Sequence, residues 1–441
     1  EANTTAPRNT AVGFESLKAN TTGDNNTAIG ERSGASTTTG HNNTFLGQDA
    51  GEANTTGATN VAVGSDALQA NTTASNSTAV GYQAGFSHTT GSWLTAFGTQ
   101  AGYSTTTAAF NAAFGGQALY SNTTGANNLA VGHAALYNNT TASSNTAVGY
   151  TALYSNTTAS SNTAVGYQAG YSNSTGGGNT AVGRGAGYAT TTGTNNTSMG
   201  YLALANSTTG GNNTAVGASS GTAITTGIRN TLLGENTSTS ATTGNDNVFI
   251  GYNAGSYVTP TTTGGLNTII GSYARVGAAD NGAIAIGHDV TGTQGYATLG
   301  LGTSDIRAAH GSTTWNTVSD ERYKKDIANS SAGLAFINDL TPRTFKYKNL
   351  GELPETFDAY KADSTDVFKN SYTNHGFIAQ EVKTAIDAHP ELKDGFTMWG
   401  ERSDGGQEVG ESALIPILVK AIQELSAKND ALEARIATLE G

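Results

Sequence analysis

Cysteine is absent from the 441 residues, and charged residues make up only 12% of them. No disulfide can therefore hold the fold, and the redox compartment is left open. Between Leu68 and Gly183 the chain contains no Asp, Glu, Lys or Arg. This stretch offers no basic patch for phosphates, which argues against nucleic-acid binding. No run of roughly 18 apolar residues occurs either, so we expect no insertion into a membrane.

Glycine, in contrast, is abundant at 58 residues, and much of it recurs at a fixed interval. A glycine closes a short apolar motif every 17 residues over fourteen steps, and two looser copies follow at Gly271 and Gly287. A strict period of this length predicts a solenoid over residues 1–287. The strictly spaced glycines are Gly13, Gly30, Gly47, Gly64, Gly81, Gly98, Gly115, Gly132, Gly149, Gly166, Gly183, Gly200, Gly217, Gly234 and Gly251.

Each repeat is too short for a pair of helices, and its Thr, Val, Gly and Asn residues disfavour helix. We expect two short strands and two turns in each coil. Thr-Ala-Val before the glycine forms one predicted strand, with the branched Val directed into the core. The segment around Ala84-Gly85 or Ala152-Leu153 forms the second. Asn and the Thr-Thr-Gly tract then supply the turns.

A single coil buries little, namely one Val, one or two Ala, and a Leu or Gly. At about 25 cal/mol per Å², this burial is marginal against the entropy lost in ordering the coil. The array therefore needs stacking along the chain and lateral burial against other copies, which predicts an obligate oligomer. Seventeen coils that rise about 4.8 Å each would form a rod roughly 80 Å long.

The repeat motif also resembles a known family. The stretches NTAIG at 26–30, NVAVG at 60–64 and NTAVG at 145–149 resemble the head repeats of trimeric autotransporter adhesins. The resemblance implies a mainly β fold, a left-handed parallel β-roll or solenoid of 17-residue repeats, assembled as a homotrimer.

Two recurring features of the array allow more than one interpretation. Tyrosines at 103, 120, 137, 154, 171 and 188 form a stripe along the rod. The stripe is either a packing ladder between coils or an aromatic surface for a sugar or cell-wall ligand. N-x-T sequons recur at Asn54, Asn71, Asn122 and Asn138. They fit turn chemistry better than they fit glycosylation.

Beyond Gly287 the period fails, and residues 288–318 are interpreted as a capping or neck segment. From residue 319 the composition becomes ordinary, so an α+β module is expected over 319–411, with a helix within 375–389. Residues 412–441 follow four heptads, which predict a coiled-coil helix. Its core positions are Ile415, Leu418, Ile422, Leu425, Asn429, Leu432, Ile436 and Leu439.

The heptads alone leave the number of helices open. Ile at the first core position with Leu at the second and one buried Asn favours a dimer by peptide rules. The resemblance of the repeats implies a trimer instead. In either case Asn429 fixes the register.

The C-terminal module carries a second and more specific resemblance. SDERYKKDI at 319–327, LTPRTFKY at 340–347, GFIAQEV at 376–382 and LIPILVKAIQEL at 414–425 resemble the intramolecular chaperone auto-processing family. This family occurs at the C-termini of phage endosialidase tailspikes and tail fibres. Its members are trimers that guide β-structured fibres to assemble and then cut themselves off.

Carried over to this chain, the resemblance places the cut at the Val318–Ser319 bond. It implies that Ser319 is the nucleophile and Lys324 the general base, with Lys325 the obvious alternative lysine. Asp320 and Arg322, which also belong to the motif, are interpreted as a structural ion pair. From chemistry alone, a serine needs an adjacent base, and a lysine serves only where burial lowers its pKa.

Together these observations predict a trimeric fibre or adhesin on a phage tail or bacterial surface, which attaches to a host or prey cell. Its partners are other copies of the chain and a cell-surface receptor or glycan. The alternatives are a purely structural shaft with its receptor-binding tip elsewhere, and an unprocessed fibre that keeps its chaperone. A polysaccharide-degrading spike fits poorly because the array offers no paired carboxylates. No cofactor or metal site is predicted, since His41, His88 and His133 lie at different repeat phases.

Overall fold

The computed structural model describes residues 5–239, 242–256, 263–312, 315–316, 319, 321–393 and 395–440. Its internal contacts divide the chain into two compact units, residues 1–318 and 319–441. Residues 1–287 of the first unit are called the array below.

The array is a parallel β-solenoid in which each coil contributes one short strand, and each strand pairs in register with its neighbours in sequence. Thr78, Ala79 and Val80, for example, lie beside Thr95, Ala96 and Phe97. The predicted solenoid is thus confirmed. The strands are β1 Thr10–Val12, β2 Thr27–Ile29, β3 Thr44–Leu46, β4 Val61–Val63, β5 Thr78–Val80, β6 Thr95–Phe97, β7 Ala112–Phe114, β8 Leu129–Val131, β9 Thr146–Val148, β10 Thr163–Val165, β11 Thr180–Val182, β12 Thr197–Met199, β13 Thr214–Val216, β14 Thr231–Leu233, β15 Val248–Ile250, β16 Thr268–Ile270 and β17 Ile284–His288.

The side chains within each strand point the opposite way from the prediction. In β5 the middle residue, Ala79, is fully buried, whereas Thr78 and Val80 are only half-buried. Side chains alternate along a strand, and the Asn that precedes most of these strands already points inward. The middle Ala must therefore point inward too. The prediction that Val fills the core was wrong.

The predicted second strand of each coil was also wrong, because turns replace it. The residue four positions after the closing glycine has a left-handed backbone, with φ of 50° at Leu68, 61° at Gly85 and 56° at Leu119. A leucine in this conformation is strained, yet Leu68 and Leu119 are fully buried. The packing of these leucines therefore offsets the strain.

Leucine and glycine at this position fit one another from coil to coil. A Cβ placed on Gly85 would lie 2.9 Å from Leu68 Cδ2 and 3.0 Å from Leu94 Cδ2. The missing side chain of Gly85 thus makes room for Leu68, at the same position of the preceding coil, and for Leu94, which precedes the next strand. Gly51 makes room in the same way for Phe45, whose ring atom would lie 2.6 Å from the added Cβ.

We expect Gly85→Leu to destabilise the array by about 1–3 kcal/mol, since it adds volume to a filled core. Gly102→Leu is the matched control, because its backbone φ of 62° is almost the same and an added Cβ would approach nothing closer than 3.4 Å. Denaturant unfolding of both variants measures the difference. Equal losses of stability would contradict the proposed fit between leucine and glycine.

Two columns of buried asparagine run along the inside of the array. In the column before the strands, Asn43 and Asn60 donate their backbone N–H groups to the side-chain oxygens of Asn26 and Asn43, at 2.9 Å each. In the other column, Asn139 Nδ2 donates to Asn122 Oδ1 at 2.9 Å. These amide chains satisfy buried polar groups along the parallel stack.

Burial in these columns also bears on the sequons. Asn54, Asn71 and Asn122 are fully buried, and their Nδ2 atoms donate to backbone carbonyls inside the coil. A glycan on these nitrogens would require the coil to open. The interpretation of the three sequons as turn chemistry agrees with this geometry.

His88 occupies a position that is Asn in the preceding coil, and its ring is fully buried with Nε2 3.2 Å from Ser77 Oγ. Burial lowers the pKa of His88 from 6.5 to about 4. Between these values only the unfolded chain binds the proton, so stability present above pH 6.5 is lost as the pH falls toward 4.

We expect the array to lose about 3 kcal/mol more than a His88→Asn variant between pH 7 and pH 4. The variant restores the amide that the preceding coil carries at Asn71. Denaturant unfolding of both proteins across this pH range isolates the histidine from the carboxylates they share. Parallel pH profiles would show that His88 does not titrate as described.

The sheet ends in an antiparallel hairpin. Strand β18, Tyr296–Leu301, continues the parallel sheet beside β17, and β19, Ser304–Ala309, turns back antiparallel to β18. The hairpin lies within the predicted capping segment 288–318. Since β19 reverses direction, it breaks the repeating geometry of the sheet.

The described residues of the second unit form three α-helices and two small antiparallel sheets. The core of this unit is formed by Phe336, Val382, Ile386, Met398 and Ile417. Strand β20 pairs with β21, and β22 pairs with β23. The elements are α1 Leu334–Asp339, β20 Arg343–Phe345, β21 Asn374–Gly376, α2 Ala379–Ala388, β22 Trp399–Glu401, β23 Gln407–Val409 and α3 Leu414–Glu440, with short 3-10 helices at Glu321–Tyr323, Leu350–Glu352, Pro390–Leu392 and Glu411–Ala413.

Candidate cleavage site and association surfaces

Ser319 and Lys324 lie in hydrogen-bond contact at the start of the second unit. The 3-10 helix Glu321–Tyr323 separates them, and Lys324 N–H donates to the Glu321 carbonyl at 2.9 Å. This turn brings the lysine back over the serine, so that Lys324 Nζ donates to Ser319 Oγ at 2.8 Å. A serine nucleophile and its base must lie within hydrogen-bond distance, and the 2.8 Å between these two atoms meets that requirement.

The neighbouring lysine does not share this contact. Within residues 319 and 321–393, no hydrogen bond joins Lys325 to Ser319. The sequence alone does not show which of the two adjacent lysines contacts the serine. In the structure, the turn brings Lys324 into hydrogen-bond contact with Ser319. Val318 and Asp320 lie outside the described residues, so neither the predicted scissile bond nor the predicted pairing of Asp320 with Arg322 can be placed. Arg322 is exposed.

With the fold of the second unit and this contact in place, the comparison with known families is specific. Residues 319–390 match the chaperone of endosialidase family. The match begins at Ser319, and it confirms the prediction of a C-terminal chaperone module. Searches of curated proteins and of solved structures found no match for the chain. Residues 319–441 are called the chaperone unit from here on.

Both members of the Ser319–Lys324 pair are exposed in the single chain. A lysine acts as a general base only in its neutral form, which burial favours and water opposes. The two side chains therefore lie at the distance that base catalysis requires, but in the single chain they are open to water.

Two contacts join α1 to other parts of the chaperone unit, and a third is local to His389; sequence reasoning missed all three. Glu424 of α3 accepts the Leu334 N–H at the start of α1 at 2.9 Å. His389, after α2, contacts Asp339 at the end of α1 at 2.8 Å and Glu391 at 3.1 Å. The hydrogen bond with Asp339 raises the pKa of His389. An acidic residue 90 positions from its partner leaves no local sequence signal.

The helix α3 presents two apolar faces. Leu414, Ile417 and Ala421 are buried within the chaperone unit. The predicted heptad core lies on the other face and is exposed, with exposed fractions of 40% to 79% for its Ile and Leu side chains. This heptad face has no partner within the described part of the chain, and Asn429 lies on it.

The array also carries an exposed apolar surface, formed by the third residue of each strand. All seventeen of these residues are apolar, and none is fully buried. Nine of them are 36% to 56% exposed, among them Val12, Leu46 and Met199. This apolar column consists of Val12, Ile29, Leu46, Val63, Val80, Phe97, Phe114, Val131, Val148, Val165, Val182, Met199, Val216, Leu233, Ile250, Ile270 and Ile286.

Exposed apolar side chains scattered singly are normal, whereas a contiguous exposed apolar patch marks an interaction site. The apolar column contains no charged or polar side chain along the whole array. The sequence shows an apolar residue before each closing glycine, but the predicted strands placed these side chains in the core. Their outward direction makes them candidates for contact with another copy.

The tyrosine stripe is a packing ladder between coils. Successive rings from Tyr103 to Tyr188 stack nearly parallel, with centroids 4.9 to 5.2 Å apart. Each ring face within the ladder is covered by the next ring. A sugar stacks on an exposed aromatic face, so the interior of this ladder offers no such platform.

None of the described helices is long and apolar enough to cross a membrane. Within the described residues, no group of three or more His, Asp or Glu side chains is placed to hold a metal ion.

Proposed function

We propose that the chain is a homotrimeric fibre shaft with a C-terminal chaperone that directs its assembly and then cuts itself off between Val318 and Ser319. The shaft would serve attachment to a host or prey cell from a phage tail or bacterial surface. The family match of residues 319–390, which opens on a hydrogen-bonded Ser319–Lys324 pair, carries the proposal.

Two apolar surfaces support association of copies. The heptad face of α3 and the apolar column of the array are both exposed in the single chain. Burying either one removes apolar area from water at about 25 cal/mol per Å².

The cut follows from the chemistry of the pair. Ser319 Oγ attacks the carbonyl carbon of Val318 while Lys324 Nζ takes the hydroxyl proton. The C–N bond then breaks, and that proton passes to the nitrogen, which becomes the free amine of Ser319. Val318 is left as an ester on Ser319 Oγ. Water hydrolyses the ester to a carboxylate and restores the hydroxyl.

Exposure of the pair suggests when the cut occurs. A lysine acts as a base only in its neutral form, which burial favours, and both Ser319 and Lys324 are exposed in the single chain. We therefore infer that association of copies must first exclude water from Ser319 and Lys324. Cleavage would then follow assembly and would release only a shaft that has already aligned.

Expression of the parent chain beside a Ser319→Ala variant tests this function. The parent should give two fragments whose masses match cleavage after Val318, and the variant should stay at 44.7 kDa. An uncut parent that has assembled under native conditions would refute self-cleavage. Light scattering of the uncut variant gives the oligomeric state, and a dimer would refute the trimer.

A second candidate is a structural shaft whose receptor-binding tip lies elsewhere. The covered ring faces of the tyrosine ladder favour it, since they leave no sugar platform there. Labelled residues 1–318 can be tested for saturable binding to glycans and cells. Saturable binding would favour the adhesin, and its absence on all surfaces would favour the shaft.

A further inference from the structure

The C-terminal half of α3 makes no packing contact with the rest of the chaperone unit. Burial along the helix ends at Ala421, and every residue from 425 to 440 is exposed. In proteins, most helix stability comes from packing of an apolar face rather than from helix propensity. The exposed part of α3 carries such a face, the heptad face, and it has no partner within the described residues.

Charged residues flank this face in an ordered way. Counting from Asn429 as a core position, Lys428 and Arg435 occupy one edge of the heptad face, and Glu433 and Glu440 occupy the other. Within the described part of the chain these four residues form no ion pair. Of the four, Glu433 accepts a hydrogen bond from Asn429 Nδ2 of the same helix at 2.9 Å.

We propose that the occupant of this face is the same helix of other copies, held parallel and in register by ion pairs from Lys428 to Glu433 and from Arg435 to Glu440 of the neighbouring copy. The inference rests on the proposed association of copies. In a parallel coiled coil, an edge residue of one helix lies beside the opposite edge residue five positions later in its neighbour. Both pairs have this spacing, and both join opposite charges.

The other arrangements of the same helices are disfavoured. An antiparallel pair brings like edges together, which sets the basic residues against each other and the acidic residues against each other. A slip of one heptad halves the number of ion pairs, because it leaves only Lys428 opposite Glu440 and, from the shifted helix, Arg435 opposite Glu433. It also places Asn429 opposite an isoleucine, where the amide loses its partner. Only the parallel, in-register arrangement satisfies Asn429 and both ion pairs.

Charge reversal in full-length chains tests the pairing, with Ser319→Ala present throughout to keep the two units joined. One chain carries K428E and R435E, and a differently tagged chain carries E433K and E440K. Each alone brings like charges together in every interface, so we expect about tenfold weaker association than in the uncut parent. Mixing the two chains restores opposite charges in all but one interface of a mixed trimer, and co-purification should rise accordingly.

Salt and a disulfide provide independent readouts. In 1 M NaCl the difference between each reversed chain and the uncut parent should shrink, whereas a purely structural defect would persist. Because the chain has no cysteine, Leu439→Cys should give disulfide-linked dimers if the helices are parallel. Ala434→Cys, on the outer face, serves as the control.

The outcomes separate this inference from the proposed function. If the reference chain, which carries only Ser319→Ala, does not associate, the proposed homotrimer is wrong. If the reference chain associates and each reversed chain associates equally well, or if mixing gives no gain, the ion pairs are wrong and the trimer stands. Linkage through Ala434→Cys but not Leu439→Cys would overturn the proposed face.

Discussion

Replacing Lys324 with alanine should leave the chain uncut at 44.7 kDa, while Lys325→Ala is cut as efficiently as the parent. Lys324 Nζ is the group in contact with Ser319 Oγ at 2.8 Å, and without a base the hydroxyl is a weak nucleophile. General base catalysis contributes about 10²–10⁴-fold, so loss of the base should slow cleavage by about that factor. Denaturing gels over time and intact mass measure the rates.

Lys324→Arg distinguishes a base from a residue that only positions the serine. Arginine keeps a hydrogen-bond donor near Ser319 but does not give up its proton in proteins. We therefore expect this variant to associate normally and to remain uncut. Cleavage of Lys324→Arg at the parental rate would contradict the role of Lys324 as base, and loss of cleavage in Lys325→Ala would contradict the choice between the two lysines.

The period of the array was predictable from sequence, but the direction of its side chains was not. A Thr-Ala-Val strand can bury either the Ala side chain or the Thr and Val side chains. Hydrophobicity alone favours burial of Val. The decisive residue is the preceding Asn, which is buried in its hydrogen-bonded column and sets the parity of the strand. Burial of an asparagine becomes favourable only when the coils above and below supply its partners. A single repeat contains no sign of those partners.

The turns that replace the predicted second strand of each coil were not predicted, for a related reason. Leucine is an improbable residue at a φ of 50°, and Leu68 adopts it because Gly85 of the next coil leaves space for its side chain. This is a relation between residues 17 positions apart rather than a local preference. Propensity reasoning therefore predicted a strand where the packing of neighbouring coils imposes a turn.

The candidate site was predicted chiefly through its motif. Ser319 and Lys324 followed from the family resemblance, because a serine and a lysine five residues apart have little meaning by themselves. The structure adds the turn that joins them. The catalytic role of the pair remains a prediction that the lysine variants test.

Disrupting the heptad face of α3 should abolish both association and cleavage. Leu425 and Leu432 are exposed in the single chain, and burying each in a coiled coil contributes about 1.5–3 kcal/mol. A variant with Leu425→Asp and Leu432→Asp would instead place carboxylates between the packed heptad faces, where burial of an unpaired charge is costly. The helices should then separate, and the Ser319–Lys324 pair should stay in water and remain inactive.

Ala427→Asp with Ala434→Asp is the matched control, since it adds the same charges on the outer face of the same helix. We expect this control to associate and to be cut like the parent, by light scattering and by denaturing gel. A Leu→Asp variant that stays monomeric and is still cut would show that cleavage does not depend on assembly. One that associates fully would show that the apolar column of the array is sufficient for association, which would contradict the role given to the heptad face.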